Sequence, residues 1–259
     1  MFKYFFDFVA SFFPYKTKGN NNKIYIVEQG VEKELKHKIK GLTIDIYGNN
    51  NVVKLFLPIS FEKTKIKIEG NYASFTMHST TETMKNSYFY LSNYGHIFID
   101  EESRFSRGTW VCINNNANNQ PHKLHIGKYA QFGKDLLIRT SDGHSIFSNE
   151  TNEPYNEPQD IIIGDHVWIG ARCMLLKGTE IPSNCVIGAG SVVNKKFKES
   201  GCIIAGNPAK IVKKNIKWER ISYGDFYNNK KVIHNCTPEH LSKQIILNKL
   251  KRKLKKLIF

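Results

Sequence analysis

Residues 163–192 read IGDHVW IGARCM LLKGTE IPSNCV IGAGSV, five consecutive groups of six that share one pattern. A large aliphatic residue opens each group, and a small or compact residue takes the fifth place. The first-place residues are Ile163, Ile169, Leu175, Ile181 and Ile187, with Val193 opening the next group, and the fifth-place residues are Val167, Cys173, Thr179, Cys185 and Ser191. A period of six fits neither the 3.6-residue turn of an α-helix nor the two-residue alternation of a strand.

This period predicts a solenoid in which the chain makes a short strand, turns a corner and repeats, so that three sides close one coil. Aliphatic first-place side chains fill the axis of the prism, and each coil buries the core of its neighbour. Gly164, Gly170 and Gly188 take the second place, where we expect glycine to permit tight corner conformations. An ordinary run of buried strands is the alternative, and five hexads in register argue against it. The sequence therefore predicts an all-β fold, a parallel β-helix.

The same period continues upstream, where Ile126, Phe132 and Ile138 are spaced by six. Earlier still, the segments LTIDIYGNNN, KIKIEGN and GHIFID alternate as strands do and end in Gly or Asn. We interpret them as degenerate N-terminal coils.

One interval breaks the period. Ile138 and Ile163 are 25 residues apart, which is not a multiple of six, so the segment Arg139–Asp160 must leave the prism as a loop. Loops held by a rigid scaffold often carry binding and catalytic residues.

The overall charge favours an anionic partner. The formal net charge is +15, which suits nucleic acid, an acidic glycan, an anionic membrane surface or a phosphorylated cofactor. Much of the excess lies in Lys249–Lys256. Since no nucleic-acid-binding module and no interleaved aromatic and basic pattern is present, we do not expect a nucleic acid partner. The five cysteines are odd in number and form no CxxC pair, which favours reduced thiols in a cytoplasmic protein.

Amphipathic helices are predicted at both ends. Apolar residues recur at helical spacing between Phe2 and Phe13, and Asp7 argues against a signal peptide. A basic amphipathic helix is predicted from Pro238 onward. Such helices suit peripheral attachment to an anionic membrane, and packing on the protein itself with solvated lysines is the alternative. No segment reaches the roughly 18 apolar residues of a membrane span.

The predicted organisation is therefore an N-terminal helix with a lead-in strand over 1–40, a β-helix domain over 41–218 with its loop at 139–162, and a C-terminal helical extension over 219–259.

Three segments together carry a resemblance to a known family: RTSDGHSIF from residue 139, DHVWIG from residue 165, and GCIIAGNPAKIVKKNIKW from residue 201. In this combination they resemble the hexapeptide-repeat acetyltransferases that modify sugar hydroxyls, and the likeness covers Leu124–Trp218. Within that family these segments are most similar in sequence to capsular polysialic acid O-acetyltransferases. The resemblance implies a left-handed β-helix, a homotrimer, acetyl-CoA in the groove between adjacent prisms, and an acidic glycan acceptor containing sialic acid.

The resemblance also implies catalytic residues. His144 matches the family's catalytic histidine, and a neutral imidazole is suited to removing a hydroxyl proton at neutral pH. Asp142 either orients that imidazole or shapes the turn with Gly143. Trp168 stands in the sixth place of its hexad and should point outward. Packing between subunits of a trimer is one explanation for an outward tryptophan. The resemblance instead favours Trp168 as part of the active-site wall near the thioester.

Cofactor contacts are implied by small residues that leave the backbone accessible and by cations near the phosphates of CoA. They are Arg139, Gly170, Lys177, Gly188, Ala189, Lys195, Ala205 and Lys210. Each lysine is alternatively a solvated surface residue, and no metal is expected.

Three other functions compete with this interpretation. The carbonic anhydrases that share this prism need three metal-binding histidines on adjacent coils, and the spacing of His122, His125, His144 and His166 does not suit that geometry. N-acetylation of an amino sugar is the nearest alternative, and a non-catalytic glycan- or nucleic-acid-binding scaffold is more distant. Only acceptor chemistry separates O- from N-acetylation, whereas a scaffold would be indifferent to His144→Ala.

Overall fold

The computed structural model describes residues 15–114 and 120–222, and in these ranges the chain forms β-strands and no α-helix. The chain divides into two units, residues 1–217 and 218–259, and the first unit contains every described strand. Both predicted terminal helices lie outside the described residues, so their structure and the membrane association stay predictions. In the described ranges, no helix combines the length and the apolar character that a membrane crossing needs.

The strands are short, and most of them pair in parallel with the strand one coil away. They are β1 (Lys16–Lys18), β2 (Lys23–Glu28), β3 (Val31–Glu34), β4 (Leu42–Tyr47), β5 (Val52–Phe56), β6 (Ser60–Glu62), β7 (Thr64–Glu69), β8 (Ser74–Met77), β9 (Thr83–Lys85), β10 (Tyr88–Leu91), β11 (Gly95–Ile99), β12 (Arg104–Ile113), β13 (His122–Ile126), β14 (Gln131–Arg139), β15 (Ile161–Ile163), β16 (Trp168–Ile169), β17 (Met174–Leu175), β18 (Glu180–Ile181), β19 (Val186–Ile187), β20 (Val192–Val193), β21 (Ile203–Gly206) and β22 (Ala209–Lys213).

These strands stack into three faces of one column. The first face runs β2-β5-β8-β11-β13-β15-β18. The second contains β6, β9, the first halves of β12 and β14, then β16, β19 and β21. The third contains β1, β4, β7, β10, the second halves of β12 and β14, then β17 and β20. The chain visits the faces in that order, and we name the corner where it returns from the third face to the first the loop corner.

The hexads form the axis of this column, as predicted. All first-place residues from Ile163 to Val193 are at most 2% exposed, and so are the fifth-place residues from Val167 to Ser191. Upstream, Ile126, Phe132 and Ile138 are fully buried at the same positions. Four described cysteines are free, three of them buried in the column.

The role predicted for the second-place glycines is wrong. The residues with positive φ stand in the fourth place of each hexad and are His166, Arg172, Gly178, Asn184 and Gly190. Second-place glycines instead allow coils to approach each other. A Cβ on Gly170 would lie 2.6 Å from the backbone nitrogen of Ala189, and one on Gly188 would lie 2.8 Å from the Cβ of Ala205. The corner conformation and the close approach are thus separate requirements at separate places.

The N-terminal coils are longer than the hexad coils, and asparagine side chains form hydrogen bonds at one of their corners. Val52, Ser74 and His96 are register partners, 22 residues apart, whereas Trp168 and Val186 are 18 apart. At the loop corner, each asparagine side chain accepts a hydrogen bond from the coil before it. The Oδ1 of Asn93 accepts the backbone N–H of Asn71, and the Oδ1 of Asn71 accepts the backbone N–H of Asn49 (both 2.7 Å). The degenerate coils predicted upstream are therefore confirmed as β4, β7 and β11.

Antiparallel strands close the described column at both ends. β3 folds back on β2, and β22 folds back on β21 after the turn at residues 207–208. Strand pairing begins upstream of residue 41, the domain boundary placed from the sequence, because β1 pairs with β4 and β2 with β5. No hexad marks that first coil in the sequence.

Candidate active site

The predicted loop leaves the column at the loop corner and is shorter than 139–162. Arg139 is the last residue of β14 and pairs with Cys112, while Ile161 already belongs to β15 and pairs with Leu124. The backbone N–H of Gln159 donates to the carbonyl oxygen of Thr140 (2.9 Å), which closes the base. Both ends are fixed by coil stacking, so the loop has a defined exit and return.

A short hairpin forms inside the loop. Phe147 and Pro154 make an antiparallel bridge, and the N–H of Tyr155 donates to the carbonyl oxygen of Ile146 (3.1 Å). The side chains of Ile146, Phe147 and Tyr155 are exposed. Such an apolar hairpin in water suggests a surface that packs against another molecule or another copy.

His144 lies just before this hairpin, exposed to solvent, in a cavity of 210 Å³. The cavity lies between the start and the end of the loop and includes Ser141, Asp142, Gly143, Pro154 and Asn156 in its lining. An imidazole in this position can reach a substrate hydroxyl brought in from solvent.

Asn156 is not predicted from the sequence, yet it organises the residues around His144. Its Nδ2 donates to the carbonyl oxygen of His144 and to Oδ2 of Asp142 (both 2.9 Å), and its Oδ1 accepts the N–H of Ile146 (2.7 Å). A lone asparagine between prolines in a polar loop gives no sequence signal beyond that of a turn residue.

Asp142 pairs with a cation of the next coil. Its Oδ2 accepts a hydrogen bond from Nζ of Lys177 (2.5 Å), and Lys177 also donates to the carbonyl oxygen of Asn156 (2.8 Å). The hydrogen bond from Lys177 lowers the pKa of Asp142 below its usual range, with smaller contributions from Asn156 and from the charges of Lys177 and Arg139. Among the described residues, the partners of this carboxylate are Lys177 and Asn156, and the imidazole of His144 is not one of them. Asp142 therefore joins the loop to the next coil, and its role toward His144 stays a prediction.

The other predicted residues lie elsewhere on the column. Trp168 points outward from the second face and is 45% exposed, as predicted. The small residues Gly170, Gly188 and Ala189 follow this face at the next corner, and Lys210 pairs with Ala205 where β22 meets β21.

The predicted site is thus split into two groups. Arg139, Asp142, His144, Lys177 and Lys195 lie at the loop corner, and Trp168 with the small residues and Lys210 lies on the second face and its following corner. The third face separates the two corners by about six residues of strand, roughly 20 Å at about 3.3 Å per residue. One chain does not bring the two groups together.

The remaining histidines have separate surroundings. His125 stacks on Phe98 with ring centroids 5.2 Å apart, and Nδ1 of His166 lies 3.0 Å from Oδ1 of Asn184 in the fourth-place corner. His122 lies beside Asp160, with Nδ1 and Oδ1 3.7 Å apart. Each of these three histidines thus has its own neighbour, and the absence of a metal stays a prediction.

Comparison with known proteins agrees with this architecture. Residues 160–195 match the family model described as bacterial transferase hexapeptide (six repeats). A polysialic acid O-acetyltransferase of Neisseria meningitidis is 33% identical over 200 residues, covering 76% of this chain and 90% of that protein. A polysialic acid O-acetyltransferase of Escherichia coli O1:K1 / APEC is 34% identical over 115 residues, covering 44% of this chain and 36% of that protein. The solved structure of the polysialic acid O-acetyltransferase OatWY superposes with a TM-score of 0.69 at 29% identity, covering 85% of this chain and 97% of that one.

Fold and matches define the chain as a hexapeptide-repeat acetyltransferase. More narrowly, it belongs to the polysialic acid O-acetyltransferase family.

Proposed function

We propose that the protein transfers an acetyl group from acetyl-CoA to a hydroxyl of a sialic-acid-containing surface polysaccharide, with His144 as general base. The observation that carries this proposal is the placement of His144, exposed in a 210 Å³ cavity on a loop that the column holds at both ends. Family membership supplies the class of reaction, and the basic chain, with a net charge of +15, suits an acidic acceptor.

Acetyl-CoA, when bound, supplies an activated acyl group and a thiolate leaving group. The Nε2 or Nδ1 of His144 takes the proton of the sugar hydroxyl as the oxygen attacks the acyl carbon, and the same proton then passes to the departing sulfur. Proton transfer of this kind contributes about 10²–10⁴-fold to rate. The developing oxyanion needs donors, for which the indole N–H of Trp168 or a nearby backbone N–H is a candidate.

The second-face group fits a pantetheine chain and its phosphates. Ala189 and Gly190 are exposed at the corner, and no atom lies within 4 Å of a Cβ built on Gly190. Lys210 is exposed in β22 and places a cation on the same side. Small side chains beside an exposed lysine allow the approach of an elongated anionic ligand.

Separation of the two groups supports a homotrimer, in which the loop of one copy meets the second face of its neighbour. In a cyclic assembly every interface is the same, so each of three sites would combine His144 of one copy with Trp168 of the next. The exposed apolar hairpin of the loop is the surface expected to contact that neighbour.

The activity test incubates the full protein with acetyl-CoA and a panel of capsular glycans, following thiol release and the product by NMR. We expect O-acetylation of sialic-acid polymers and a loss of at least about 100-fold in His144→Ala. His78→Ala, on the first face away from the loop, is the matched control and should keep the wild-type rate. Wild-type turnover by His144→Ala would contradict the mechanism, N-acetyl products would favour the amino-sugar alternative, and no turnover with any glycan would favour a scaffold.

Subunit mixing tests the composite site. His144→Ala and Trp168→Ala trimers should each be inactive, and unfolding and reassembling an equal mixture should restore roughly a quarter of the wild-type rate, because some interfaces then carry both intact residues. A mixture that reassembles as trimers and stays inactive would place both residues in one subunit's site.

A further inference from the structure

We propose that Lys177 and Asn156 are positioning residues for His144, and that Lys177 is not a ligand of acetyl-CoA. The three residues Asp142, Asn156 and Lys177 are called the loop clamp. The inference rests on the proposed role of His144 as the base, and it changes the role implied for Lys177 by the sequence.

The amide of Asn156 holds alternate residues on both sides of His144. It bonds the carboxylate of Asp142, the carbonyl oxygen of His144 itself and the N–H of Ile146. One planar group thereby holds the Asp142 side chain before the catalytic residue and the backbone at and after it. Since the imidazole side chain is exposed, these backbone bonds are what limits its position.

Lys177 ties this arrangement to the rigid column. It belongs to the corner between β17 and β18, one coil beyond the loop, and its ammonium bonds the entering strand of the loop at Asp142 and the returning strand at the carbonyl oxygen of Asn156. The next residue, Gly178, has φ +74°, and its N–H donates to the carbonyl oxygen of Asp160 (3.1 Å). The clamp therefore stands on a corner that is itself bonded to the loop's end.

The charge of Lys177 is balanced by the carboxylate of Asp142. Its side chain is only 20% exposed and faces a carboxylate at 2.5 Å, so it offers a phosphate less net attraction than an exposed lysine does. Lys195 and Lys210 are exposed and have no carboxylate within salt-bridge distance among the described residues. These two lysines, not Lys177, remain the candidates for the CoA phosphates.

A positioning role predicts a particular kinetic effect. When a catalytic group is displaced by about 1 Å, the rate can fall about 100-fold while binding is kept. Lys177→Met and Asn156→Ala should therefore lower kcat about 10–100-fold and leave the KM for acetyl-CoA within about twofold. Lys177→Arg keeps the cation and should recover most of kcat.

The experiment measures kcat, KM for acetyl-CoA, thermal melting, and hydrogen exchange of peptides covering 141–158 in the full protein. Lys128→Met is the matched control, because Lys128 makes a comparable surface pair with Glu101 (2.8 Å) away from the loop. In Lys177→Met and Asn156→Ala we expect faster exchange in the loop, unchanged exchange in the hexads and an unchanged melting temperature. The control should match wild type in every measurement.

Three results would overturn the inference: a raised KM for acetyl-CoA with unchanged kcat in Lys177→Met, loop exchange equal to wild type, or faster loop exchange with wild-type kcat. Failure of the proposed function looks different, because His144→Ala would then stay active. Exchange would still show whether the clamp holds the loop, since that measurement needs no substrate.

Discussion

In the N-terminal half of the column, successive coils place partners such as Ser74 and His96 22 residues apart, whereas in the C-terminal half Met174 and Val192 are 18 apart. The longer coils enclose aromatic side chains: Phe75 packs edge-on against Phe89, and Phe105 stacks on Phe132 with centroids 4.3 Å apart. After Phe132 the axis is filled by aliphatic and small residues up to Val193. The coils before the loop are thus longer than those of the hexad region.

The corners differ as well. Residues with positive φ and backbone bonds between coils occur at corners of both halves, as at Tyr72 and Asn184. The N-terminal loop corner adds hydrogen bonds from the backbone N–H of one asparagine to the carboxamide oxygen of the asparagine one coil later. The loop with His144 leaves the column between the longer N-terminal coils and the hexad coils. At this corner, side-chain hydrogen bonds fix the stacking of coils that no hexad marks in the sequence, and substitutions matched between the two halves can test that conclusion.

The largest effect is expected at Asn51, which is fully buried. Its Nδ2 donates to the carbonyl oxygen of Gly70 (2.8 Å) and its Oδ1 accepts the N–H of Ala73 (2.9 Å). Asn51→Ala leaves both backbone groups without this partner and should reduce the free energy of unfolding by about 3–5 kcal/mol. Asn184→Ala, at an exposed hexad corner with φ 63°, should cost only about 1 kcal/mol. Urea unfolding checks both, and equal losses would remove the distinction between the two kinds of corner.

Close approach of glycine is expected to matter in both halves. A Cβ on Gly170 would lie 2.6 Å from the nitrogen of Ala189, and one on Gly70 would lie 2.3 Å from the nitrogen of Asn93. Gly170→Ala and Gly70→Ala should each cost about 2–3 kcal/mol, since two stacked coils must separate locally. Gly190→Ala meets only the strain of its positive φ, about 1 kcal/mol. A cost for Gly70→Ala no larger than that for Gly190→Ala would show that N-terminal coils stack less tightly than the geometry indicates.

A smaller effect is expected from buried hydroxyls in the two halves. Oγ1 of Thr179 donates to the carbonyl oxygens of Leu176 (2.6 Å) and Val193 (2.9 Å), whereas Oγ1 of Thr64 lies 3.2 Å from each of its two backbone acceptors. Thr179→Val should lower the free energy of unfolding by about 1 kcal/mol, and Thr64→Val by less, because its bonds are longer. Denaturant midpoints of the two variants give the comparison, and a stabilised Thr179→Val would contradict it.

The smallest effect is expected from pH on the loop that carries His144, where the two halves of the column meet. The pKa of Asp142 is lowered chiefly by its hydrogen bond from Lys177. The stabilisation that this carboxylate gives to the folded loop is therefore complete above the unfolded-state pKa of about 3.9. It is lost as pH falls through the lower folded-state pKa of Asp142. Protection of the Ile146 amide, corrected for intrinsic exchange, should stay constant from about pH 8 to about pH 5. A loss of protection within that range would mean that another group controls the loop.

The sequence predicts the C-terminal half well because its signal is hydrophobic and strictly periodic, so Ile163 and every later first-place residue could be assigned to the axis. In the N-terminal half the strands are visible, but their register depends on bonds such as that between Asn49 and Asn71, which leave no periodic apolar pattern. Likewise, His144 is carried by a motif, whereas Asn156 acts through three short-range bonds that depend on the folded hairpin. The split between the loop corner and the second face follows from the winding of the chain, which a motif does not describe.

The antiparallel strands at the two ends have a consequence for how copies associate. Stacked parallel strands leave open edges that invite another chain to add on, and a column of coils could grow in this way into a fibre. β3 covers the first face at one end and β22 covers the second face at the other. On those two faces a parallel coil of another copy therefore cannot stack directly on β2 or β21, which disfavours growth of the column from end to end.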